Sequence, residues 1–133
     1  MKSLQQMINE QIGNLKKELI AVDGFDEPIV LLELTGKLLE QWESYCVEFD
    51  AVRKRSASAA KQTFALRAVL IGMSLCESDG SRPFNDKNGY EKLSSLPSNI
   101  IDQLFDDCQR LNHLGRYFQD TMGNSDAGQS EDS

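Results

Sequence analysis

Apolar residues recur along this chain at helical and strand periods, and each change of period marks the end of a predicted element. Leu4, Met7, Ile8 and Ile12 follow the three-and-four spacing of one helix face, and Gly13-Asn14 supplies a stop. The spacing predicts a short amphipathic helix between Ser3 and Gly13. Two β-prone runs come next, Glu18 to Val22 and Ile29 to Leu34, with the turn cluster Asp23-Gly24-Phe25-Asp26-Glu27-Pro28 between them. That arrangement predicts a β-hairpin. Thr35 then suits an N-cap, and Leu38, Trp42, Tyr45, Phe49 and Val52 recur at steps of four and three, so they share a helix face. Glu40, Glu43 and Glu48 fall on the opposite face.

Arg53-Lys54-Arg55-Ser56-Ala57-Ser58 breaks the apolar period, and a second helical run is expected from near Ala59. From Phe64 to Cys76 almost every residue is apolar or small, the mark of a helix buried on most sides and the expected centre of the core. Glu77-Ser78-Asp79-Gly80-Ser81-Arg82-Pro83 is a loop, since Gly and Pro bracket its polar residues. Asn85 or Asp86 is placed to cap a short helix running through Leu93. Leu96-Pro97-Ser98 opens a last long helix, proline being well tolerated in a first turn. Ile101, Leu104, Phe105, Cys108 and Leu111 form its inner face, Asp102, Asp106, Asp107 and Arg110 its outer face, and Gly115 its expected end. Beyond Met122 there is no large apolar residue, so residues 123–133 are expected to be a disordered acidic tail on a single domain spanning 1–122. The fold class expected is α+β, mostly α: a helical domain with a small N-terminal β-hairpin.

Composition narrows the function classes. The chain has 133 residues, one domain's worth, and a net charge of −7 that disfavours a general nucleic-acid or anionic-membrane binder. The charge is segregated: residues 23–50 carry −7, residues 51–67 carry +5 and residues 119–133 carry −4. Cys46, Cys76 and Cys108 are odd in number and widely spaced, against both a disulfide framework and a zinc knuckle. The N-terminus lacks the apolar stretch of a signal peptide, and the run Ala68 to Gly72 is far short of a membrane span. A cytoplasmic protein is expected.

Catalytic chemistry finds little to work with. The one histidine, His113, lies five positions after Cys108, which puts the two on different faces of a helix. Asp86-Lys87-Asn88-Gly89 looks like part of a calcium loop, but with Gly89 in the sixth position Phe84 and Ser95 fall where the first and twelfth ligands belong. No enzyme, metal or cofactor is expected. Arg53, Lys54, Arg55, Lys61 and Arg67 are the best nucleic-acid feature, yet they lack interleaved aromatics and adjoin the acidic block. Leu114, Tyr117, Phe118 and Met122 follow the last helix, and either fold back onto the core or form an apolar contact surface for another chain. Together with Arg53, Lys54 and Arg55, these four are the candidate protein-contact residues, and the outer side of the last helix is the expected partner face. The opposed charge blocks predict a homo-oligomer.

The segment from Arg67 to Leu114 resembles the tail assembly chaperones of long-tailed, lambda-like bacteriophages. The resemblance rests on Arg67-Ala68-Val69-Leu70-Ile71-Gly72-Met73-Ser74-Leu75, on Asp79-Gly80-Ser81-Arg82-Pro83-Phe84, on Leu96-Pro97-Ser98-Asn99-Ile100-Ile101-Asp102-Gln103-Leu104-Phe105 and on Arg110-Leu111-Asn112. In that family an apolar helix runs into a D-G-x-x-x-F loop, then a short helix, then an L-P-opened helix ending in R-L-N. The N-terminal helix, Leu4 to Ile12, is not general to the family. The resemblance implies a chaperone that binds and solubilises the tape-measure protein, helps recruit tail-tube subunits, in many phages through a frameshifted longer form, and is absent from the finished virion. The competing expectation, drawn from the basic stretch 53–67, is a small regulatory or adaptor protein binding one partner or nucleic acid.

Overall fold

The structure is a computed structural model that describes residues 1–54 and 64–114 of the chain. Its elements run α1 (Leu4–Ile12), β1 (Lys17–Ile20), β2 (Ile29–Leu32), α2 (Gly36–Lys54), α3 (Leu66–Ser74), β3 (Leu75–Cys76), α4 (Lys87–Leu93) and α5 (Ser98–Asn112). The protein is mostly helical, with one small antiparallel sheet in the order β1-β2-β3.

Local chemistry accounts for most of the element ends. Ser3 and Gln6 close α1 with a capping box: Ser3 Oγ accepts from the Gln6 N–H at 3.1 Å, and Gln6 Oε1 accepts from the Ser3 N–H at 2.9 Å. Thr35 Oγ1 accepts from the Leu38 N–H at 3.2 Å and caps α2. Asp86 caps α4, accepting from the Gly89 N–H at 2.7 Å, and Pro97 stands at the N-cap of α5. The turn Asp23 to Pro28 joins β1 to β2, with Lys17 opposite Leu32 and Ile20 opposite Ile29.

The core gathers around α3. Every residue from Ala68 to Ser74 is buried, and α2, α4 and α5 pack against this helix. The α2 stripe joins the core as expected: Trp42 is 1% exposed and meets the Phe105 ring at 6.2 Å, while Tyr45 meets Tyr90 edge-on at 5.9 Å. Phe64 completes that cluster, 5.5 Å from Tyr90 and 5.8 Å from Phe49.

Three expectations are corrected. The buried apolar run is not one helix through Cys76. It breaks at Ser74, and Leu75 and Cys76 become a third strand opposite Leu31 and Val30. An apolar run with no polar face fits a buried helix and a buried strand equally, so its pattern hides the junction. The described part of this run becomes helical only at Leu66, since Phe64 and Ala65 precede the helix; the expected start near Ala59 lies outside the described residues. The last helix ends at Asn112 rather than Gly115, because His113 takes a left-handed conformation (φ 58°) and its N–H returns to Arg110 O. The expected tail, 123–133, lies outside the described residues.

Candidate functional site

The residues that carry the family resemblance hold the fold together. Arg82 is half-buried, and its guanidinium donates to Met73 O at 2.6 Å, Glu33 O at 2.7 Å and Leu32 O at 3.2 Å. One side chain thus ties the end of α3 to the end of β2. Burial lowers the Arg82 pKa from its ordinary value. Asp79 shapes the same loop by accepting from the Ser81 N–H at 2.9 Å, and this backbone bond is the main reason its carboxyl titrates below the usual range. Gly80 takes φ +89°, a left-handed turn that suits a residue without Cβ.

The Arg110-Leu111-Asn112 triplet does comparable work at the other end of α5. Arg110 Nη1 donates to both carboxylate oxygens of Glu18 on β1, at 2.8 and 3.0 Å, and Nη2 donates to Asp107 at 2.8 Å; these bonds raise the Arg110 pKa. Leu111 is buried. Asn112 donates from Nδ2 to Cys108 O at 2.9 Å and accepts on Oδ1 from the Leu34 N–H at 2.8 Å. The triplet therefore locks the last helix to the hairpin and to the approach into α2.

The cysteines and the histidine do not form a reactive pair. Cys108 is buried, and burial, offset in part by a hydrogen bond to Ser74, pushes its thiol pKa up to about 12. Burial also raises Cys46, to about 11, while His113 is exposed at the helix end. Among the described residues no three His, Cys, Asp or Glu side chains gather as metal ligands, and no helix is long and apolar enough to cross a membrane.

Of the candidate contact residues, the structure describes the side chain of Leu114. Leu114 is 6% exposed and belongs to the core, so it leaves the contact set. Its fate follows from the early helix end, which turns it inward with its N–H on Gln109 O at 2.8 Å. Tyr117, Phe118 and Met122 lie outside the described residues, as do Arg55 and Lys61. Arg53 and Lys54 are the last two residues of α2. Arg67, the remaining member of the basic stretch, pairs with Asp102 at 2.9 Å and lies over the Phe105 ring at 5.6 Å. The outer side of α5 is polar, with Asp102, Asp106 and Arg110 exposed, and it offers no large apolar contact.

Among the described residues, the largest group of exposed apolar side chains is on α1 instead. Leu4, Met7, Ile8 and Ile12 are 69%, 45%, 51% and 67% exposed, and no residue of α1 is buried. With Leu15 and Leu34 they line a groove of about 550 Å³ between α1 and the β2–α2 junction. The amphipathic period of α1 was legible in the sequence, but whether that face meets the core is a tertiary fact. A second apolar recess of about 260 Å³, lined by Phe25, Ile29, Phe84 and Leu96 among others, lies beside α4. Glu40, Glu43 and Glu48 line a shallow acidic surface on α2.

Comparison with protein-family models, curated proteins and solved structures yields no match.

Proposed function

We propose that this chain is a tail assembly chaperone: it binds the tape-measure protein in the bacterial cytoplasm, keeps it soluble, helps recruit tail-tube subunits and is absent from the mature virion. The observation that carries the reading is the apolar face of α1, with four large side chains turned to solvent, whereas among the described residues the other helices expose only Val47. An exposed apolar stripe beside a groove is what a protein needs to cover a few apolar turns of a long helical client. The resemblance over residues 67–114 supports the same reading, and its motif residues act as scaffold, which leaves client contact to surfaces outside the motif.

Co-expression tests it. A tape-measure fragment that aggregates alone is expected to move to the soluble fraction with the wild-type chain, and to return to the pellet with the Leu4→Ser, Ile8→Ser, Ile12→Ser variant. A fragment equally insoluble with the wild-type chain would sink the proposal. So would nucleic-acid binding in physiological salt that is abolished by Arg53→Ala, Lys54→Ala and Arg55→Ala, because that outcome belongs to the adaptor reading.

A further inference from the structure

We infer that in the free protein α1 packs against α1 of a second copy of this chain, as an antiparallel pair with its twofold axis near Ile8. The first ground is that α1 lacks cover. It has nine residues and buries none of them. A helix this short is marginal in water, where even good helix formers need about 12 to 15 residues and most helical stability comes from packing an apolar face. The capping box closes the first turn but covers no apolar side chain.

The second ground is area. Leu4, Met7, Ile8 and Ile12 are each between 45% and 69% exposed. Together they make a patch on the order of 400 Å², a size at which exposed apolar patches mark contact sites. Across a twofold axis two such patches bring together about 800 Å² of apolar surface, and specific interfaces begin near about 1,200 Å² in total with about three fifths of it apolar. Gln11 and Asn14, which line the same groove, supply a polar rim. The surface is thus large enough for a dimer and too small for a tight one, so association in the micromolar range is expected.

The third ground is charge and symmetry. A twofold contact needs a patch that complements itself. The residues of α1 that line the groove are all uncharged, so two copies of this face meet without like-charge repulsion. An antiparallel mate also brings its Lys2 to the far end of α1, where Glu33 lines the groove and is held by accepting from the Lys16 N–H at 3.0 Å. Within one copy Lys2 pairs with Glu10 at 2.6 Å, an exposed contact of little worth that can be exchanged for the new one. Ile8 is the middle residue of α1, so the antiparallel pair sets it against its own mate. Leu4 lies about 6 Å further along the axis, and therefore about 12 Å from Leu4 of the second copy. The inference goes beyond the proposed client binding and stands without it; where both hold, the client and the second copy compete for the same four side chains.

Sedimentation of the full chain in about 1 M salt tests it, because contacts between charges are screened there beyond about 3 Å. The mass is expected to rise to that of a dimer between about 1 and 300 μM and to stop there. The Leu4→Ser, Ile8→Ser, Ile12→Ser variant is expected to dimerise at least about a hundredfold more weakly. The amides of α3 serve as the fold control, and their hydrogen exchange should not change. Cys76 is the one cysteine that is not buried. In a Cys76→Ser background, an Ile8→Cys variant is expected to form an intermolecular disulfide under mild oxidation. A Leu4→Cys variant is not, since a disulfide needs Cβ atoms about 3.5 to 4.5 Å apart. A monomeric mass throughout, which leaves self-association to the charge blocks, overturns the inference. So does a mass that climbs past the dimer, dimerisation that ignores the three serines, or cross-linking at position 4 as ready as at position 8. The solubility of the co-expressed fragment, read separately, decides the client reading alone.

Discussion

Arg82 shows how a loop residue outside every periodic pattern can fix the relation between elements. Its guanidinium serves three main-chain carbonyls from two elements, and a planar fork of donors can do this where an ammonium cannot. Arg82→Ala leaves those carbonyls without their charged donor at a half-buried site, and a loss of about 2 to 4 kcal/mol is expected after partial rescue by water. Arg82→Lys should recover less than half of it. Urea unfolding with an unchanged m-value measures both, and a change below about 0.5 kcal/mol for the alanine variant would remove Arg82 from this role. The sequence showed the loop around Arg82 plainly. It did not show the role, because an arginine in a polar loop looks the same whether it points to water or to Met73 O.

At the scale of elements, the α3–β3–loop–α4 segment is held by a close approach that composition does not reveal. A Cβ at Gly89 would lie 2.3 Å from Phe84 O and 2.6 Å from its Cα, both of them backbone that cannot swing aside. Gly89→Ala must therefore push α4 off the loop, at an expected cost of about 1 to 3 kcal/mol or more. Gly36, at the start of α2, has nothing within 4 Å, so Gly36→Ala is expected to be neutral or to stabilise by up to about 1 kcal/mol through helix propensity. Thermal unfolding of the two variants side by side checks the argument; equal effects would show that crowding at Phe84 does not matter. Elements with a strong period or a dedicated cap were legible beforehand: the hairpin, α2 with Thr35, α4 with Asp86 and α5 behind Pro97. The α3–β3 junction was not, since an apolar stretch without a polar face carries no periodic signal, and the partner that makes Leu75 and Cys76 a strand lies more than forty residues away in β2.

At the scale of the whole molecule, charge is segregated: residues 23–50 carry −7, part of it on a solvent-facing acidic surface of α2, and residues 51–67 carry +5. Opposed blocks on one small domain suit head-to-tail contacts between copies, which build rings or open spirals along a long client. Light scattering at high concentration and low salt is expected to give a mass above the monomer, falling as salt screens the contacts. A strictly monomeric mass under those conditions would count against self-association. The apolar groove beside α1 and the acidic face of α2 involve different residues, so the two kinds of contact can be separated by mutation.

The sequence by itself determined the mostly helical class, the hairpin, the stripe from Trp42 to Phe49 and the inner face of α5, because periodicity and caps are local and each element carries its own. It also determined that α1 is amphipathic. Only the tertiary structure decided which amphipathic faces are satisfied. Leu114 went into the core because a left-handed His113 ends the last helix early, and the face of α1 stayed in solvent because no described element packs on it. The same apolar period serves a core helix and a docking helix, and the difference lies in what stands opposite, which depends on contacts between residues distant in the chain.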